Sequence, residues 1–330
     1  MFYLGLDVSK ASLDCCLLYQ GIDGKKKNKR VANSSKGTAE LLDWLKRQQS
    51  ENGQTHIVME ATGVYHENTA IALHRAGCLV SIVNPAHVRH FAKSRSIHTK
   101  TDKVDSEVLA YFAAANRPEL WQPPSPEALL LKALLSRHDA LTADLLREKN
   151  RLEKAEATHT PPQILASIHA SIIFISAQIA CLQKEQDDHI DGNPQLKEDM
   201  QLLQSIPAIG ERTGAALLCV MHTHHFEAAD QLAAFLGVVP VERQSGTSLA
   251  GRAHLSKIGP AKIRAKLYMA ALSAMQYNPH VKALYDRLLL KGKSKMSALG
   301  AAMRKLVLLC FGVLMHRRPY QADYLPKIAT

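Results

Sequence analysis

In the first third of the chain, apolar positions come in short blocks separated by polar turns. FYLGLDV (2–8) is a strand pattern ending at Asp7, and SLDCCLLYQG (12–21) follows at hairpin distance. A basic turn, DGKKKNKR, then leads into a third strand, RVANS. SSKGTAELLDWLKRQQ opens on a serine cap and places Ala39, Leu42, Trp44 and Leu45 at helical intervals. HIVMEATG (56–63) reads as a buried strand ending at Glu60, HENTAIALHRAG as a helix closed by Gly77, CLVSIVNP as another buried strand, and AHVRHFAKS as the start of a helix. The predicted order is β-β-β-α-β-α-β-α. Three hairpin strands followed by alternating helices and strands is the order of an α/β RNase H-like domain with a mixed sheet.

Beyond residue 122 the rhythm changes. PPSP marks a linker. Leu131, Leu134, His138, Leu141, Leu145, Glu148 and Leu152 then recur at alternating steps of three and four. After Pro161 and Pro162 the same rhythm returns in Leu165, Ile168, Ile172, Ile175, Ile179 and Leu182. Two heptad helices joined at a proline turn predict an antiparallel coiled-coil arm, whose purity in Ile and Leu favours association between copies. The remaining residues are mainly helical. They carry a helix-hairpin-helix-like element around SIPAIGERTG (205–214) and a polar, helix-poor insert, ERQSGTSLAGRAHLSKIG (242–259). The expected domains are 1–122, 123–195 and 196–330.

Composition adds a bias. The chain has 330 residues and a net charge of +11. Residues 1–200 hold 24 basic and 24 acidic side chains, whereas residues 201–330 hold 17 basic and 6 acidic, so the whole excess lies in the last 130. A basic module beside a neutral one suggests a polyanionic partner, with nucleic acid first in line. The amino terminus lacks a secretory pattern and no apolar run approaches a membrane span, so a cytoplasmic, membrane-free protein is expected. Six cysteines without a CxxC pair read as reduced thiols.

Four acids form the first candidate constellation. Asp7 and Glu60 end two strands that the inferred order sets side by side, and Asp102 and Asp105 open a helix one turn apart. Such hard oxygen donors suit Mg²⁺ or Mn²⁺, and two such ions clamp the attacking and leaving oxygens of phosphoryl transfer. The plainer alternatives stay open. Asp7 in GLDVS is also a turn residue and a faint echo of a sugar-kinase phosphate loop, and Asp102 followed by Asp105 is also a helix cap. Glu60 is harder to dismiss, because a buried carboxylate is costly without a partner. The glycine turn at 205–214 offers phosphate-gripping amides from Gly210, Arg212 and Thr213, or is simply a turn between core helices. Ser245, beside Arg243, Arg252 and Lys257, is either loop or a nucleophile. The histidines of MHTHHFE (221–227) read as surface.

LGLDVSK, MEATGVY, IVNPAHV, KTDKVDSEVLA, SIPAIGERTGAALL, FLGVVPVERQSGTSLAG, LSKIG and AAMRKLV stand in this order. In them the chain resembles the DEDD transposases of insertion sequences, the Piv/MooV-like, bridge-RNA-guided recombinases. The resemblance spans nearly the whole chain. It implies an RuvC-like domain, a coiled-coil arm and a transposase domain. It assigns Asp7, Glu60, Asp102 and Asp105 to Mg²⁺ (or Mn²⁺) and Ser245 to nucleophilic attack through a covalent phosphoserine. The implied partners are donor and target DNA, a structured non-coding RNA, and further copies of the chain as a dimer or tetramer. Lys100, Lys262 and Arg264 join the residues above as nucleic-acid contacts. Hydrolysis by a junction-resolvase-like nuclease, and a non-catalytic binding protein, are the competing expectations.

Overall fold

The computed structural model describes every residue except Gln20, Asp23, Glu51, Thr62, Lys100, Arg243, 246–248, 251–253 and 324–330. The expected contacts Lys100, Arg243 and Arg252, and the side chain of Ser245, therefore lie outside the described residues. The chain divides into two compact units, Met1–Pro123 and Pro124–Thr330.

The first unit is built on a five-stranded sheet in the order β3-β2-β1-β4-β5. Its strands are β1 (Phe2–Val8), β2 (Ser12–Tyr19), β3 (Lys26–Ala32), β4 (Thr55–Glu60) and β5 (Leu79–Val83). Strands β1, β2 and β3 pair antiparallel, whereas β1–β4 and β4–β5 pair parallel. With helices α1 (Ser35–Arg47), α2 (Glu67–Arg75), α3 (Pro85–Ser94) and α4 (Asp102–Asn116), this is the RNase H-like arrangement expected from the element order. One expectation needs correcting: the basic stretch taken as a turn is itself β3. Lys26, Lys27 and Lys29 pair with Leu18, Leu17 and Cys15 on an outer strand, where lysines keep a free edge from recruiting another sheet.

Strand alternation sends Leu4, Leu6, Leu13, Leu17, Ile57 and Met59 to a core shared with α1 and α2. Tyr3, Cys16, Leu18 and Val58 go to the opposite face, against Val108, Leu109 and Phe112 of α4. Gly5 lies on that second face. A Cβ there would stand 2.0 Å from the Ser106 carbonyl oxygen and 2.3 Å from the Ala110 nitrogen, so α4 rests directly on the strand backbone.

The second unit begins with the arm, α5 (Pro126–Ala157) and α6 (Pro162–Gly192). Both heptad rows named above are buried or half-buried along their length, as the coiled-coil pattern requires. Leu131 and Ile190 root the arm in the core of helices α7 (Pro194–Gln204), α8 (Glu211–Thr223), α9 (Ala229–Phe235), α10 (Ala261–Tyr277), α11 (Pro279–Leu290) and α12 (Lys295–His316). The insert between α9 and α10 holds two small ladders. In one, β6 (Pro240–Val241) pairs with β9 (His254–Leu255); in the other, β7 (Gln244–Ser245) pairs with β8 (Leu249–Ala250). A second correction concerns membrane-length segments: α6 and α12 are both long and apolar enough to cross a membrane. In α12 that length arises from burial in the core; α6 has no such cover.

Candidate active site

The acids gather where strand register and one helix dictate. Asp7 pairs with Asp14 across the β1–β2 hairpin. One rung beyond the Leu6–Met59 pair, Asp7, the last but one residue of β1, comes beside Glu60, the last residue of β4. Side-chain alternation puts Asp7, Asp14 and Glu60 on the face that α4 crosses, the face of Tyr3, Cys16 and Val58. The first turn of α4 supplies Asp102 and Asp105.

The electrostatics follow. Burial pushes the Asp7 carboxyl up to about 6, and the neighbouring charges of Asp105, Asp102 and Asp14 push in the same direction. Arg30 of β3 answers this crowd, with its Nε 3.3 Å from Asp14 Oδ2 and its Nη2 3.2 Å from Asp102 Oδ2. Its reach shows how the β3 edge, read from sequence as a turn, supports the site.

The structure gives the cap of α4 to a residue other than the two aspartates. The cap is Thr101, whose Oγ1 accepts from the Val104 N–H at 3.3 Å. Asp102 is therefore not the capping residue, and both aspartates occupy the first turn, where the positive end of the helix favours anions. As the side chains stand, no group of three His, Cys, Asp or Glu residues is arranged to hold a metal ion among the described residues. The donor chemistry nevertheless fits a hard divalent cation. Asp7, Glu60, Asp102 and Asp105 offer oxygen only, and the charge crowding at Asp7 is the kind a cation relieves.

Three residues here escaped sequence reasoning: Asp14, Arg30 and Asn33. Asn33 Nδ2 donates to the carbonyls of Ser9 (2.8 Å) and Tyr65 (3.1 Å), while its Oδ1 accepts from Thr69 Oγ1 (3.0 Å). It thus ties the segment after β1 to the segment after β4, the two that follow Asp7 and Glu60. Counting rungs back across the hairpin would have found Asp14; nothing local marks Asn33.

In the second unit, Ser245 pairs with Leu249 across the β7–β8 ladder. Lys257 has a left-handed backbone, φ 56°, and its N–H donates to Gly237 O. Arg264 is committed to carbonyls, its Nη1 lying 2.9 Å from Gly259 O and 3.4 Å from Leu236 O, so it clamps the foot of the insert. Lys262 and Lys266 of α10 meet Asp139 of the arm at 3.8 and 3.3 Å. Gly210 begins α8 with no side-chain cap, leaving the amides near Arg212 and Thr213 without one. His222 departs from the expected surface role: half-buried, it lies 2.8 Å from Asp199, which also accepts from Arg317, the residue that caps the end of α12.

A transposase family model for the DEDD enzymes of IS110 matches residues 4–158. A second, described as the transposase IS116/IS110/IS902 family, matches residues 200–286. A pilin gene-inverting protein of Moraxella lacunata is 31% identical over 323 residues, covering 96% of this chain and 97% of its own. The chain belongs to the IS116/IS110/IS902 family of transposases. The transposase is also 28% identical over 260 residues to the transposase for insertion sequence element IS1111A of Coxiella burnetii, covering 70% of this chain and 68% of that one. Among solved structures, T. thermophilus RuvC in complex with Holliday junction substrate matches 37% of this transposase and 100% of its own chain, with TM-score 0.29 and 12% identity. The fold assignment rests on strand order and family membership rather than on that likeness.

Proposed function

We propose that this transposase cuts and rejoins DNA through a covalent phosphoserine at Ser245, with Asp7, Glu60, Asp102 and Asp105 as the metal-binding set. The observation that carries the metal part of the reading is the placement of Asp7, Asp14 and Glu60 on the sheet face crossed by α4, whose first turn bears Asp102 and Asp105, where burial and this crowding raise the carboxyl of Asp7 to about 6. Such crowding has a physical purpose when a divalent cation joins it.

In the proposed step, Ser245 Oγ forms a bond to the phosphorus of a DNA phosphodiester. The bond from phosphorus to the strand's leaving oxygen breaks, that oxygen takes a proton, and the serine hydroxyl gives up its own. The bond energy is kept in the phosphoserine link, so rejoining needs no nucleotide cofactor. A bound Mg²⁺ (or Mn²⁺) would supply Lewis-acid stabilisation of the charge developing on the phosphoryl oxygens. Asp7 and Glu60 fix the ligand position from the sheet, Asp102 and Asp105 from α4, and Arg30 holds Asp14 and Asp102 apart from the remaining anions. The printed name of the Moraxella relative, pilin gene-inverting protein, supports rejoining, because inversion requires every cut end to be resealed.

Donor and target DNA are the substrates. A structured non-coding RNA pairs with both, leaving the protein to grip shape and backbone. Gly210, Arg212, Thr213, Lys257 and Lys262, with Lys100, Arg243 and Arg252, form the backbone grip, and Arg264 braces it. The protein acts in the cytoplasm as a dimer or tetramer. The domain reading keeps 1–122 as the RuvC-like part, 123–195 as the arm and 196–330 as the basic transposase part.

The competing reading is hydrolysis by a junction-resolvase-like nuclease, with water as nucleophile. Ser245→Ala separates them. Incubation with Mg²⁺ and cognate DNA, then denaturing electrophoresis, should show a protein-linked strand with the native protein and none with Ser245→Ala. Continued cutting by Ser245→Ala would defeat the phosphoserine reading.

A further inference from the structure

A cavity of about 570 Å³ opens between α11, α12 and the segment that follows α12. Its floor is apolar, formed by Leu308, Leu309 and Val313, and its rim carries Lys305 and Arg318. No Asp or Glu is among the described residues that line it. The neighbouring cations are engaged: Arg304 pairs with Asp230, and Arg317 with Glu198 and Asp199. Among the described residues, no ion pair engages Lys305 or Arg318. Gly312 stands in the same wall. It lies inside α12, where glycine is the poorest helix former after proline, and a Cβ there would meet nothing within 4 Å. Packing does not require this glycine; its effect is to keep the cavity open. Tyr320 forms one side. Its hydroxyl donates to Asn278 Oδ1 at 3.1 Å and lies 2.5 Å from His280 Nδ1, and its N–H donates to Ser205 Oγ at 2.8 Å. Asn278 Nδ2 in turn lies 3.5 Å from the Pro207 carbonyl. Tyr320 and Asn278 thus fasten the cavity to the glycine turn 205–214.

We propose that this cavity receives one unpaired nucleotide, its base on the apolar floor beside Tyr320 and its phosphate against Lys305 and Arg318. The volume lies within the range of about 300–1,000 Å³ typical of small-ligand sites. The lining asks for two chemistries at once. Two uncompensated cations ask for an anion, and an apolar floor with an aromatic side asks for a flat ring. Inorganic phosphate answers only the first and leaves the floor bare. A base inside a duplex cannot enter, because its faces are stacked and its edge is paired, whereas a bulged or looped-out base has both free. The bonds to Ser205 and Pro207 place the cavity beside the turn whose amides grip backbone phosphate, so a strand held there has its next unpaired nucleotide within reach.

The inference rests on the reading that residues 196–330 grip nucleic acid, and it names where a single nucleotide is held. The test uses the full chain and three fluorescent duplexes of one sequence: fully paired, with a one-nucleotide bulge, and with the same bulge made abasic. Each is prepared as RNA and as DNA, and anisotropy is read at one salt concentration. The native chain should bind the bulged duplex about tenfold more tightly than the paired one, and the abasic bulge should lose that preference. A preference in the RNA set assigns the nucleotide to RNA, and one in the DNA set to DNA. Gly312→Leu fills the cavity from a helix position with room for its Cβ and should remove the preference at unchanged helicity. Lys305→Gln, which leaves the floor intact, should weaken binding of the bulged duplex and not of the paired one. Equal binding of all three duplexes by the native chain would overturn the cavity while keeping the grip. A preference that survives Gly312→Leu would do the same. Failure to bind any duplex would defeat the grip and the cavity together.

Discussion

Gly5 of β1 and Ser106 of α4 approach so closely that a methyl group on Gly5 would stand 2.0 Å from the Ser106 carbonyl oxygen. This contact fixes the height of α4 above the sheet. It therefore fixes where Asp102, one turn earlier, and Asp105, the preceding residue, stand relative to Asp7.

Gly5→Ala tests that dependence. The added methyl has backbone on the other side and no flexible neighbour to displace, so overpacking should destabilise the protein by about 3 kcal/mol or shift α4 outward. Urea unfolding should show the loss, and Mg²⁺-dependent DNA cutting should fall with it. Gly53→Ala, which meets nothing within 4 Å, serves as the control and should leave both unchanged.

The raised carboxyl of Asp7 sets a pH signature. The folded protein holds this proton up to about 6, whereas a free aspartate releases it near 3.8. Between these values the native state binds more protons than the unfolded one, so the contribution of Asp7 to stability is present below about 4 and is lost as pH rises through 6. In metal-free buffer, Asp7→Asn should unfold later than the native chain at pH 7 and show little difference at pH 4. The gain should be about 1–2 kcal/mol after allowing for partial solvent exposure. Mg²⁺ should narrow the gap at pH 7 by stabilising the native chain alone. Thermal melts at both pH values check this, and a gap that widens on acidification would contradict it.

Asn33 holds two loops with one side chain. Removing its two donors and one acceptor in Asn33→Ala should cost about 1–3 kcal/mol and lower the cutting rate of the remaining folded protein. Asn33→Asp should do no better, because a carboxylate facing the Ser9 and Tyr65 carbonyls cannot donate. Recovery of full activity in Asn33→Asp would show that the amide is not the anchor.

Grip on nucleic acid by backbone phosphates predicts steep salt dependence. If about six phosphates are contacted, affinity should fall on the order of 10³ between 50 and 200 mM salt. Fluorescence anisotropy with labelled duplex and RNA measures this, and a flat response would remove the basic module from the interface.

The sequence by itself determined much of this protein. Period-two and heptad patterns, caps and turns encode local structure, so the element order and both rows of the arm were legible from them. Asp7 and Glu60 were legible as strand ends, because a carboxylate closing an apolar strand conflicts with burial. Where local signals misled, a neighbour overrode them. The lysines of β3 read as a turn until pairing with β2 made them an edge strand, and Asp102 read as a cap until Thr101 took that bond. Only the tertiary structure could set Asp14 and Arg30 among the acids, tie Asn33 to Ser9 and Tyr65, and press α4 onto Gly5. Each depends on residues far apart in sequence meeting through sheet register and helix packing, which no window along the chain contains.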